Sequence, residues 1–432
     1  PPPRCQAEDG IRDNIPSLVG SEMCIRDSAF EGIRILDFSQ VLAGPAATHF
    51  FSMLGADVIK VENPTSGDQF RNLLATEGFE DYGMSPGFMT LNTGKRSLAI
   101  DLKHPDAREV VVRIARTADV MVENCRAGVI EELGFGYEAI RAIRPDVVYC
   151  SISGYGQSGP MQGAAAYDGA IQAASGMMSV NGHPETGPTR TSYTVVDMST
   201  AVTAAFAISS ALFRRQATGQ GQRLDVAMYD TALWMMAPLM AAHMVGREES
   251  GLIGNNSPAM TPTANVFQTA DGHIQITALT DAQGAALVAI LGLDPHDDAR
   301  LQTQKTMSAH HDAVREVFAE RLREETTAHW AGRLREAKVP HAKVRDFEGA
   351  VTDPQLAHRG IIQDVPAPKG STHGAIDPLK LIAAAFTANQ EGPAIFGAPP
   401  ALGQHNTEVL TECGFTVGEV AAMREAGVFG AK

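Results

Sequence analysis

From Gly32 onward, short β-branched runs alternate with longer mixed segments. The runs are "IRILDF" (Ile33 to Phe38), "ADVIKVE" (Ala56 to Glu62), "SLAIDL" (Ser97 to Leu102), "ADVMVEN" (Ala118 to Asn124) and "DVVYCSI" (Asp146 to Ile152). Several are separated by helix-length stretches, a rhythm that predicts βαβ units on a largely parallel sheet, hence an α/β fold. After the first run, "SQVLAGPAATHFFSMLGA" predicts a helix opened at Gly44-Pro45, where proline is tolerated, and closed by Gly55. A strand, loop and helix N-terminus in that order is a common anion-binding arrangement. The loop lacks G-x-G-x-x-G, which disfavours a Rossmann-type dehydrogenase.

The pattern changes after Asp197. An Ala/Ser-rich helix, Met198 to Arg215, leads through a Gly-rich turn into a predicted strand, "RLDVAMY". The sequence "ANVFQTADGHIQITAL" alternates on both sides of Asp271-Gly272 and predicts a hairpin. Charge-laced helices follow to Leu334, then the extended "VPHAKVRDF". The expected organisation is a large α/β domain over 29–224, a smaller α+β domain over 225–337, and a stretch, 338–432, that returns to the large domain. Gly251 to Met260 reads either as a lid or as a plain linker. The apolar runs "MSTAVTAAFAISSALF" and "ALWMMAPLMAAHMV" are expected to be buried helices shorter than a membrane span.

Charge narrows the function classes. The 432-residue chain carries a formal net charge of −15, which argues against nucleic-acid binding and requires any anionic ligand to meet a local cationic pocket. The five cysteines form no C-x-x-C pair, so neither a zinc site nor a disulfide framework is expected, and the cytoplasm is the default compartment. Pro1 to Ser28 contains "QAEDGIRD" and "LVGSEMCIRDS", strings similar to an in-frame translation of a sequencing-library adapter. That segment is set aside as such an artefact or as a disordered tail.

A single acid, Asp168, lies within "GAAAYDGAIQAASG", a run of small and apolar residues that reads as a helix start. Locally it fits an N-cap, a frequent role for Asp. It also fits a nucleophile: a carboxylate is ionised at neutral pH without a base, and an apolar neighbourhood would protect a reactive intermediate from water.

The motifs "GIRILDFSQVLAGPAAT", "LGADVIKVENP", "NTGKRSLAIDLK", "ADVMVENCRAGV", "SISGYGQSGP", "AAYDGAIQAASG" and "ATGQGQRLDVAMYD" together resemble the class III CoA-transferases, from about Gly32 to Gly360. That family also includes α-methylacyl-CoA racemases. The resemblance implies a Rossmann-like large domain with an inserted smaller one, and an interlocked homodimer. It implies an acyl-CoA and a free carboxylic acid as partners and coenzyme A as co-substrate; the residues themselves show no metal-ligand cluster and no run long enough for a membrane span, so neither a metal nor a membrane is expected. It makes Asp168 the nucleophile that forms a mixed anhydride and then an aspartyl-CoA thioester. It assigns the CoA cradle to Leu42, Ala43, Asn63, Lys95, Arg96, Asn124, Cys125, Arg126, Ser153, Gly154, Tyr155 and Gly156. Cys125 departs from the aromatic residue usual in "ENFRPG", and Asn63 stands where some relatives have Arg; Cys125 is not read as a catalytic thiol. The racemase branch resembles "GHD" around its Asp, whereas Tyr167 precedes Asp168 here and no histidine lies between His104 and His183. CoA transfer is therefore favoured over racemisation, which needs two acid/base groups, and over a catalytically silent CoA-binding protein.

Overall fold

The computed structural model describes residues 28–73, 82–247, 249–368, 378–389 and 392–430. The segment set aside at the amino terminus lies outside them except for Ser28, as do residues 74–81 of the stretch between the second and third strands.

Six parallel strands form the central sheet. They are β1 (Arg34–Asp37), β2 (Asp57–Glu62), β3 (Arg96–Ala99), β4 (Val120–Glu123), β5 (Val148–Ser153) and β6 (Gln222–Ala227), in the order β3-β2-β1-β4-β5-β6. Side chains of the inner strands are buried on both faces, which is why their sequences run apolar rather than alternating. One face packs helix α1 (Ala43–Ser52) and the long helix Val195–Thr218 over Ile35, Val58, Val120 and Val148. The opposite face buries Leu36, Ile59, Leu98 and Met121 together with Val409 and Leu410 from the helix Asn406–Glu412 and Phe415 from the turn after it.

Two expectations are corrected. Residues 225–227 belong to the large sheet as the end of β6, and the following residues form the helix Met228–Met235 packed on Ile171 and Val196. The large sheet therefore runs past residue 224, the limit expected for it. Alternation in "RLDVAMY" signals a strand without saying which sheet receives it. The helix expected over Met198 to Arg215 runs for 24 residues and is long and apolar enough to cross a membrane by length and composition. Its buried stripe, Ala201, Ala204, Ile208 and Ala211, lies against the sheet layer.

The hairpin at Asp271-Gly272 pairs Ala264–Thr269 with Gly272–Thr277, and His341–Lys343 adds a third strand. Helices over 281–336 cover that sheet around Phe318, Trp330 and Leu334.

The carboxyl ends of β1 and β2 rest on buried charges. Asp37 accepts hydrogen bonds from the Ser39 hydroxyl and from Thr48 Oγ1 at 2.6 Å, and pairs with Lys95 Nζ at 3.2 Å. Lys60 Nζ bridges Ser39 O at 2.7 Å and Asp68 at 2.8 Å. Burial would raise the Asp37 carboxyl, but Lys95, Lys60 and the hydroxyl donors outweigh it and hold it below the ordinary value. Removing one partner of such a set leaves a buried charge uncompensated, at a cost of about 3–5 kcal/mol. Lys95→Met is accordingly expected to lower unfolding stability by about that amount in urea denaturation at neutral pH. The paired Asp37→Asn/Lys95→Met variant should recover part of the loss.

Candidate active site

Strand order reverses between β1 and β4, and a cavity of about 310 Å³ opens at that point, over the carboxyl edge of the sheet. Three loops make its walls. The first is the turn Gln40–Ala43 after β1, the second Asn124–Ala127 after β4, and the third Ser153–Gly156 after β5, joined by Ala164–Tyr167 and Asp197.

The first wall is held in a conformation its residues would not choose. Val41 has a φ of 68°, in the left-handed region that is poorly suited to a β-branched residue. Its backbone N–H donates to Asp68 Oδ1 at 2.9 Å. Asn124 clamps the preceding residue from both sides, accepting from Gln40 N and donating to Gln40 O, each at 2.8 Å. The third wall depends on close approach. A Cβ at Gly154 would lie 2.4 Å from the Ala166 Cβ, so glycine lets the segment before Asp168 close on β5.

Of the residues assigned to the CoA cradle, Leu42, Ala43, Asn124, Cys125, Arg126, Ser153, Gly154, Tyr155 and Gly156 line this cavity. Arg126 is exposed there. The structure places three others elsewhere. Lys95 is fully buried, with Asp37, Pro45 O, Thr48 and Asn92 as its partners. Arg96 turns to the amino end of β2, pairing with Asp57 at 2.6 Å and with Glu408 and Glu412. Asn63 is exposed and caps its own turn by accepting from Thr65 N and Ser66 N. Cys125 is not poised as a nucleophile: burial, with Glu123 and Glu131 nearby, pushes its thiol up to about 12.

Asp168 begins the helix Asp168–Ala174, and Tyr167 occupies the cap position. It does not cap its own helix. Its Oδ2 instead accepts from the backbone N–H groups of Val196 (2.7 Å) and Asp197 (3.1 Å), so it caps the long helix Val195–Thr218, whose own Thr194 makes no side-chain cap. Its Oδ1 accepts from Gln172 Nε2 at 2.5 Å, leaving a second lone pair on that oxygen. Gln172 also donates to Thr191 Oγ1 and accepts from Thr191 N, tying the nucleophile candidate to the loop before the long helix. Asp168 is only 7% exposed, and its neighbours Tyr167 and Asp197 form the cavity wall beside it.

Two residues that the structure brings to Asp168 went unread in the sequence. Gln172 could have been found by its i, i+4 spacing from Asp168. Asp197, in "VVDMSTA", carried the same signal as Asp168: an acid at the head of an apolar helix. Burial, reinforced by the Asp168 charge, pushes the Asp197 carboxyl up to about 7.

The comparisons with known proteins bear on this geometry directly. Residues 30–406 match the CoA-transferase family III. The chain belongs to that family. It is 33% identical over 397 residues to the succinate–glutarate CoA-transferase of Agrobacterium fabrum, covering 91% of this chain and 97% of that one. It is 35% identical over 336 residues to the acetyl-CoA:oxalate CoA-transferase of Acetobacter aceti, covering 77% and 85%. A crystal structure of a CAIB/BAIF family protein from Brucella suis superposes with a TM-score of 0.79 at 27% identity, covering 90% of this chain and 100% of that one. This CoA-transferase therefore moves CoA between acids and takes CoA thioesters as co-substrates, as the resemblance implied. Among the described residues no cluster of metal-ligating side chains occurs.

The cap predicts a stability role for Asp168 separate from chemistry. Asp168→Ala is expected to lower unfolding stability by about 1–2 kcal/mol through loss of the cap, measured by urea denaturation, with Asp168→Asn retaining part. A pH dependence follows from Asp197. Its folded value lies above its unfolded one, so the stability it contributes is full below the unfolded value near 4 and is lost as pH rises through about 7. Thermal unfolding of Asp197→Asn should therefore gain on the wild type progressively between pH 5 and pH 8.

Proposed function

We propose that this CoA-transferase works through a covalent intermediate on Asp168. The carboxylate attacks the acyl-CoA carbonyl to give a mixed anhydride, and the returning CoA thiolate then gives an aspartyl-CoA thioester that the acceptor acid attacks. The observation that carries this reading is the placement of Asp168. It is a buried carboxylate fixed by two helix-end N–H groups and Gln172, directly behind the Tyr167–Asp197 wall of the cavity. Fixed orientation supplies rate because a held nucleophile needs little further ordering on the way to the transition state. The cradle residues around Arg126 give the anionic CoA a cationic contact in an otherwise acidic protein.

The acids are proposed to be small dicarboxylates, since the relatives are named for glutarate, mesaconate and oxalate. Arg190 supports that class. Its guanidinium lies against Gly169, where an added Cβ would meet Nη1 at 3.3 Å, next to the nucleophile. The second reading, racemisation, draws no support from the site, because no histidine lies among the cavity residues.

We further propose that the protein is a homodimer whose contact includes the outer face of the long helix. Val202, Phe206 (75% exposed) and Phe213 (77%) repeat there at helical spacing, and Trp234 is exposed to a similar degree. An apolar strip of this kind fits a subunit contact better than open solvent. Phe206→Glu/Phe213→Glu is expected to shift the sedimentation coefficient to that of a single chain; a wild-type protein already sedimenting as one chain would sink the idea.

The mechanism is tested by incubating the enzyme with pairs of acyl-CoAs and free dicarboxylic acids, followed by mass spectrometry of the peptide holding Asp168. Acyl or CoA adducts on that peptide are expected, with exchange falling at least about 10³-fold in Asp168→Ala, in line with the loss of a covalent nucleophile. Exchange at the wild-type rate in Asp168→Ala would overturn it.

A further inference from the structure

Asp197 has no part in the scheme above beyond its backbone N–H. Its side chain lines the cavity, while its N–H holds Asp168 at 3.1 Å, so the two carboxyl groups share one helix end. No hydrogen bond or ion pair engages the Asp197 carboxyl among the described residues. The other titratable and charged groups around the cavity are Cys125 and Arg126 after β4, Tyr155 after β5, and Tyr167, with Tyr229 packed behind Tyr155. Asp168 is the charge that acts on Asp197. A carboxyl that faces a ligand space and is bonded to nothing is suited to exchanging a proton with that ligand.

We infer that Asp197 holds the proton that the CoA sulfur needs each time it leaves Asp168's side, and takes it back each time the sulfur returns. The inference rests on the covalent reading of Asp168. In the first step, an Asp168 oxygen forms a C–O bond to the thioester carbon, the C–S bond breaks, and its electron pair goes to sulfur. The Asp197 carboxyl delivers its proton to that sulfur, leaving a thiol and an Asp197 carboxylate. When the thiol attacks the anhydride, Asp197 recovers the proton as the new C–S bond forms. The same exchange recurs in the second half of the cycle, so no proton is gained or lost and no co-reactant is required.

The geometry also times the transfer. While Asp168 is a free carboxylate, its charge opposes a second charge on Asp197 and keeps the proton in place. Once Asp168 is acylated that charge is gone, and Asp197 becomes the stronger acid at the moment the sulfur departs. The Asp168 charge returns only at the last step, when CoA attacks the second anhydride at the acceptor acyl carbon and Asp168 leaves as a carboxylate, and that charge then holds the recovered proton on Asp197. Burial favours the neutral Asp197 carboxyl throughout.

Asp197→Asn separates this role from a structural one, since asparagine keeps the backbone N–H that holds Asp168 and loses only the proton. The expected result is a fall in kcat of about 10²–10⁴-fold, the usual range for a positioned acid. The decline of kcat/KM above about pH 7 in the wild type should disappear in Asp197→Asn and return in Asp197→Glu. A readout independent of turnover is the carbon-13 carboxyl spectrum of aspartate-labelled enzyme. One resonance, absent in Asp197→Asn, should titrate near neutrality in the wild type and at lower pH in Asp168→Asn, where the opposing charge is missing. Exchange by the wild type together with an unaltered rate and pH profile in Asp197→Asn would overturn this role alone. A resonance that titrates identically in the wild type and Asp168→Asn would overturn the timing and the role with it. Absence of adducts at Asp168 in a wild type that exchanges CoA would overturn the covalent reading and, with it, this one.

Discussion

The end of one helix organises the site. Val195–Thr218 begins without a side-chain cap of its own, and two of its free N–H groups are satisfied by Asp168, which is remote in sequence and belongs to a different helix. That single contact joins the segment after β5 to the layer packed on the sheet, and it aims a carboxylate beside the cavity. It also brings Asp197 within range, because the residue that donates the second N–H is itself an acid. Stability, orientation and electrostatics at this point are therefore one arrangement seen three ways.

A second constraint acts on the opposite wall. The buried set of Asp37, Lys60, Asp68 and Lys95 fixes where β1 and β2 end, and Asp68 reaches up to hold the Val41 backbone in its unfavourable conformation. The carboxyl edge of a parallel sheet offers a crevice wherever strand order reverses, but a crevice becomes a binding wall only if its loops are rigid. Here rigidity comes from charges that water cannot reach. This explains why Lys95, a cation beside a motif that resembles a CoA-binding one, serves the floor of the cavity rather than its surface.

Much of this was legible in the sequence. Beta-branched runs marked β1 to β5, the Gly44-Pro45 pair marked the start of α1 to within a residue, and Asp271-Gly272 marked the hairpin. Asp168 stood out because an acid among small residues demands a reason. What the sequence hid was non-local. Lys95, Arg96 and Arg126 look alike as isolated cations, and only the fold decides that the first two meet carboxylates while the third faces the cavity. The strand "RLDVAMY" carried a period but no partner, so its pairing at the edge of the large sheet was not legible. The cap donated by Asp168 to another helix could not be read from either helix alone.

The contact between Gly154 and Ala166 sets a limit on how this cavity can be reshaped. With the two chains this close, residue 154 has no room for any side chain, and the wall nearest Asp168 cannot be widened or narrowed by substitution there. Changes to the cavity's shape have to be sought across the space instead, at Gln69 or Met161, which line it away from the contacts that hold Asp168. The cavity thus has one wall locked by backbone contact beside Asp168 and a facing side open to substitution.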